Sequence, residues 1–165
     1  MRRVALRMLA AAALSLASVA VLAHGPEKHD NAPKPISAEE HPWGRQGDPK
    51  KATRTVAIGM SDAMRFSPAE VRVKQGETVR FVVKNGGKAM HEMVIGTLAE
   101  LKAHGELMKK HPNMEHDEPY MAHVAPGKSQ EIVWTFTKAG EFHFGCLVPG
   151  HFDAGMIGRI VVAAN

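Results

Sequence analysis

The sequence predicts an all-β domain, a Greek-key sandwich of roughly seven or eight short strands. Three observations carry this expectation. From Arg54 onward apolar and polar residues alternate with period two in short runs. Turn signals separate the runs, among them Gln75-Gly76-Glu77, Asn85-Gly86-Gly87 and Lys138-Ala139-Gly140. One stretch, after Thr97, has leucines at helical spacing.

Residues 1–23 read as a secretory signal. Arg2, Arg3 and Arg7 precede an alanine- and leucine-rich run ending in Val21-Leu22-Ala23, where a signal peptidase reads small residues. The alternative is an uncleaved anchor, for which the apolar run is short. Cleavage would place the mature chain in the periplasm with no membrane span. It would also remove three arginines and no acid, lowering the formal net charge from +4 to about +1. No basic stripe is interleaved with aromatics, so nucleic acid is not an expected partner.

Residues 24–52 contain Pro26, Pro33, Pro35, Pro42 and Pro49 among scattered charges, with almost no apolar periodicity. Such a segment buries little, and a flexible leader is expected. Cleavage after Ala23 would make His24 the new N-terminus, with an amine and an imidazole able to chelate copper. A disordered tail with incidental histidines is the plainer alternative.

Residues 53–165 form the expected domain, since 165 residues at 44% apolar content allow one core and not two. Strands are expected at Arg54–Met60, Glu70–Lys74 and Thr78–Lys84, then in the short segment from Met90 to Ile95. Thr97 with Glu100 makes a capping box for a helix running to Lys110, packed through Leu98, Leu101 and Met108. Residues 111–123 read as a loop dense in methionine and histidine. Ser129–Phe136 is expected to form a hairpin with Glu141–Cys146, and a last strand runs from Met156 to Val162. Alternation in the Glu141 strand puts Phe142, Phe144 and Cys146 on the core face and turns His143 outward to solvent.

The chemistry concentrates in Cys146-Leu147-Val148-Pro149-Gly150-His151-Phe152-Asp153-Ala154-Gly155-Met156, which holds the single cysteine of the chain. A thiolate, an imidazole and a thioether from one loop suit copper cycling between two oxidation states. Pro149-Gly150 and Gly155 allow the loop to turn tightly between them. Taken singly, Cys146 is an ordinary small buried hydrophobe, His151 a loop residue and Met156 core packing. Their conjunction with a second imidazole, His91, at the mouth of a strand makes the set of two imidazoles, one thiolate and a weak thioether. Export strengthens the case, because a lone cysteine in an oxidising compartment has no internal disulfide partner. Zinc on Cys146, His91 and His151 with water is the alternative, and it leaves Met156 without a role.

With these residues the chain resembles the cupredoxins, and within them the periplasmic CopI-type copper-tolerance proteins. The match covers about residues 53–165, and its most specific part is Cys-x4-His-x4-Met. The resemblance implies one type 1 copper held by His91, Cys146, His151 and Met156, the last as an axial ligand. It implies redox or copper-handling partner proteins docking near Pro149 and Phe152, beside His151. Many cupredoxins follow the first ligand histidine with an asparagine that ties the two ligand loops together; here Glu92 stands in that place. The segment 97–123 is longer than a minimal cupredoxin needs. Met114, His116, Met121 and His123, with Met90 and Met93, are candidates for a second copper site, the alternative being a solvated loop.

Three functions follow from these readings. The first is one-electron redox cycling of a periplasmic copper in the service of copper tolerance. The second is a dedicated electron carrier to a respiratory or oxidase partner. The third is weak cuprous oxidase activity. Multicopper catalysis is disfavoured by chain length and by the absence of His-x-His pairs.

Overall fold

Alternation builds two sheets whose inward faces meet. The computed structural model of the protein describes residues 35–165 apart from Asn113 and Glu115. Its elements are β1 (Glu40–His41), β2 (Gly44–Gln46), a 3-10 turn (Pro49–Lys51), β3 (Arg54–Ser61), β4 (Arg65–Ser67), β5 (Glu70–Lys74), β6 (Thr78–Asn85), β7 (His91–Gly96), α1 (Leu98–Lys110), β8 (Met121–Val124), β9 (Ser129–Thr135), β10 (Gly140–Gly145) and β11 (Ile157–Ala163). One sheet runs β1-β2-β9-β6-β3-β4 and the other β5-β11-β10-β7-β8. The pairs β3–β6 and β5–β11 are parallel, the rest antiparallel.

The core sits between the sheets. Val79, Phe81 and Val83 on β6 and Ile132 and Trp134 on β9 meet Met93 and Ile95 on β7, Phe144 on β10 and Ile160 on β11. Each of these is at most 1% exposed, so alternate residues on every central strand are removed from water. The tip of the Phe144 ring lies over Gly158, where an added Cβ would come within 2.1 Å of it. A side chain at 158 would therefore displace the aromatic that fills the middle of the β10–β11 pair.

β7 is buried along its whole length, because it is covered on both sides. One face looks into the sandwich. The other packs Val94 with Leu101 and Met108 of α1, Met121 and Leu147. The helix starts where the capping box places it: Thr97 accepts from Glu100 N–H at 3.3 Å, and the Glu100 carboxylate accepts from Thr97 N–H at 3.2 Å. Leu101 and Met108 pack inward as expected, whereas Leu98 is 36% exposed. Leu98 is the first helical residue, and the inward stripe begins one turn later, at Leu101.

Four expectations are corrected. Ser129–Thr135 does not form a hairpin with Gly140–Gly145; β9 pairs with β6 and β2, and β10 with β7 and β11. The Lys138-Ala139-Gly140 turn therefore carries the chain from one sheet to the other, which local alternation alone does not distinguish from a hairpin turn. The described residues hold eleven strands, not seven or eight, the additions being the short β1, β2, β4 and β8. The leader is not flexible as far as residue 52. Arg45 and Gln46 pair with β9, Trp43 is 4% exposed, and Trp134 Nε1 donates to the Trp43 carbonyl at 3.1 Å. Trp43, stacked with His41 at 4.8 Å between ring centroids, anchors the proline-rich segment, which adds β1 and β2 to the edge of the sheet. His143 lies on the face away from the core but is half-buried instead of open to solvent: its side chain is 17% exposed, near the Glu141 carboxylate at 3.6 Å. The signal segment and His24 lie outside the described residues.

Candidate metal centre

The site forms at one end of the sandwich because β10 and β7 are neighbours. The register sets Gly145 opposite Val94, so Cys146, the next residue, emerges beside the start of β7, where His91 sits. Glu92 N–H donates to Cys146 Sγ at 3.4 Å, and Leu147 N–H donates to Glu92 Oε1 at 2.7 Å. Glu92 thus joins the two donor segments from both its backbone and its side chain.

The loop after Cys146 closes on itself. His151 N–H donates to Val148 O at 3.0 Å, Met156 N–H to His151 O at 3.1 Å, and Cys146 N–H to Met156 O at 3.1 Å. Gly150 and Gly155 make this possible with φ of 85° and 87°, a region costly for other residues. The result brings His151 Nδ1 to 3.3 Å and His91 Nδ1 to 3.9 Å from Cys146 Sγ. The donor atoms of His91, Cys146 and His151 all lie within 4.8 Å of one another. Met156 is fully buried in the same cluster as Cys146 and Met93.

The far side of His91 is held by a carboxylate. Asp62 Oδ1 accepts from His91 Nε2 at 3.0 Å, and the same carboxylate accepts from Lys88 and Ala89 N–H at 2.8 and 3.2 Å. A proton on Nε2 leaves the lone pair on Nδ1, the atom facing the thiol. The two backbone donors and His91 hold the Asp62 carboxyl below its ordinary range. Asn85, fully buried, braces the segment before His91: its Nδ2 donates to Ala89 O and Val124 O, both at 2.8 Å.

Burial disfavours charge on the metal-free donors. Burial pushes the Cys146 thiol up to about 12, against the pull of the Glu92 N–H. A thiolate in so dry a place needs a positive charge beside it. Burial, with His91 nearby, lowers the pKa of His151, which keeps its imidazole neutral and able to donate a lone pair. One thiolate and two imidazoles converging from fixed elements fit a single copper ion.

The donors proposed for a second site divide. Met93 and Met121 are core residues, 0% and 6% exposed, because β7 and β8 carry them inward. Met90, Met114, His116 and His123 line one cavity of about 820 Å³. Pro149 is exposed, and His151 and Phe152 are half-buried. Phe152 also packs on the Leu101–Leu147 cluster and covers Gly145, where an added Cβ would come within 2.8 Å of its ring. Sequence reasoning missed Asp62, which it did not single out, and Asn85, which it read as part of the Asn85-Gly86-Gly87 turn. Their one signal is that each is a side chain able to cap backbone N–H groups.

Known proteins share both the pattern and the fold. Residues 53–163 match the family model of copper binding proteins, plastocyanin/azurin family. The chain is 51% identical over 161 residues to the copper-resistant cuproprotein CopI of Rubrivivax gelatinosus, covering 94% of this chain and 98% of that one. It is 36% identical over 149 residues to the CopI of Pseudomonas aeruginosa, covering 73% and 82%. Among solved structures, dithionite-reduced auracyanin from Roseiflexus castenholzii superposes with a TM-score of 0.59 at 24% identity, over 68% of this chain and 98% of that one.

Proposed function

Because this chain belongs to the plastocyanin/azurin family of copper-binding proteins, we propose that it is a periplasmic type 1 copper protein serving copper tolerance. The ligands are His91 Nδ1, Cys146 Sγ and His151 Nδ1, with Met156 as the axial donor. The observation that carries this reading is the buried thiol with two imidazole nitrogens at 3.3 and 3.9 Å, one of the rings pinned from behind by Asp62. Tolerance is supported by the name shared by relatives at 51% and 36% identity. An exported location is supported by the arginine-then-apolar pattern of residues 1–23. No helix among the described residues is long and apolar enough to cross a membrane.

Bound copper supplies a one-electron couple between Cu(I) and Cu(II). The chain's contribution is to hold the donors still. Cys146 and His91 are fully buried; Glu92 N–H donates to the Cys146 Sγ, and Cys146 N–H donates to the Met156 carbonyl. A scaffold that ties the donor segments together limits rearrangement when charge changes. His151, partly exposed beside Pro149, gives electrons a short way in or out, and this favours the carrier reading as a second role for the same centre.

The test is copper reconstitution followed by visible absorption and paramagnetic resonance, with growth of a strain lacking the gene on copper as the biological readout. An intense thiolate-to-copper band at one equivalent, together with loss of copper tolerance that the gene restores, supports the reading. A protein with no such band while Cys146 is reduced would overturn the type 1 centre. A band without any effect on tolerance would leave the electron carrier in its place.

A further inference from the structure

We infer that the cavity beneath the α1–β8 connection is a second metal site, which takes Cu(I) on the thioethers of Met90 and Met114 and the imidazole of His116. All three line the same cavity of about 820 Å³. Folding explains neither methionine. Among the described residues the exposed large hydrophobics are Ile36, Met90, Leu98, Leu107 and Met114, and the two methionines of that group, 47% and 39% exposed, face one cavity. Thioethers are soft donors that select Cu(I) over harder divalent ions.

His116 is prepared for the role. Its Nδ1 lies 3.3 Å from the Met114 carbonyl, so a proton there leaves the lone pair on Nε2. The ring is set by its neighbours: His104 of α1 at 4.6 Å and His123 of β8 at 5.8 Å between ring centroids. His123 is a positioning residue. Its Nδ1 meets Glu92 Oε2 at 2.8 Å and its Nε2 meets the His116 carbonyl at 3.1 Å. With an acceptor at each nitrogen, its ring ties the loop to the β7–β8 pair and is itself engaged. Glu92 is likewise engaged, by His123 and Leu147 N–H. Asp117 also lines the cavity, and Met108 supplies an apolar wall. Val148 and Pro149 line the same cavity, so an ion there lies against the loop that carries Cys146 and His151.

The experiment starts from purified protein already holding one copper at Cys146, reduced under argon. Cu(I) is then added in competition with a chromophoric Cu(I) chelator. The parent takes up a further equivalent. Met90→Leu with Met114→Leu, and separately His116→Phe, weaken that uptake by on the order of tenfold or more, while the visible band returns in full on reoxidation. Silver(I), added as a redox-inert probe, shifts the methyl resonances of Met90 and Met114. Cu(I) uptake equal in the parent and both variants, or no uptake beyond the Cys146 centre, overturns the site. If the Cys146 centre itself shows no visible band, the silver-dependent methyl shifts still report on this cavity, so the two failures are distinguishable.

Discussion

Two groups of soft donors lie on either side of Glu92, and they differ in what holds them. Cys146 and His91 are fully buried and tied into β10, β7 and a self-bonded loop. Met90 and Met114 stand half in water around an open cavity. The two arrangements suit different proposed tasks. Donors that cannot move suit an ion that changes charge in place, and donors free to close on an ion suit capture and release. Glu92 touches both, through Leu147 N–H on one side and His123 on the other.

The comparison breaks most completely at Cys146. Cys146→Ser removes the thiolate, so the intense visible band is lost entirely while Cu(I) uptake at the methionine cavity persists; absorption and chelator competition on one sample check both. Next in size is Glu92→Ala, which leaves the buried Leu147 N–H without an acceptor and His123 without its partner. Denaturant unfolding of metal-free protein should show a loss of about 3 kcal/mol. Glu92→Gln, which retains an acceptor for Leu147, should recover part of it.

Asp62→Asn sharpens the rigid side of the comparison. It removes a negative charge from behind His91 and weakens the hold on its ring. Copper affinity is expected to fall on the order of tenfold, by competition with a chelator, and the reduction potential to rise, by voltammetry. The smallest effect is at His123. Pairing with Glu92 raises its pKa above the ordinary 6.5, so the pair stabilises the fold fully below that value and fades as pH rises through the folded one. Thermal melts of metal-free parent and His123→Phe should differ more at pH 5.5 than at pH 8. A gap that is the same at both would remove the charged pair as its source.

Much of the site was legible because its signal is local. Cys146, His151 and Met156 share one loop, and the turn residues between them are short-range chemistry. The Thr97–Glu100 capping box is local too, and the helix begins where it predicts. Asp62 was not legible, since it reaches His91 across 29 positions of sequence and in isolation is a turn aspartate. Nor was the division of the methionines, because alternation puts residues three apart on opposite sides but only tertiary packing decides which side meets the core.

By itself, then, the sequence determined which faces of the strands are apolar, where the helix starts, and which donors one loop can offer, because hydrophobic periodicity, caps and turns act over a few residues. Tertiary structure alone decided that β9 and β10 belong to different sheets and that the proline-rich segment docks through Trp43. It likewise decided that Asp62 and Glu92 brace the centre from opposite sides. Those outcomes depend on which strands pair at long range, and alternation is the same whichever partner a strand takes.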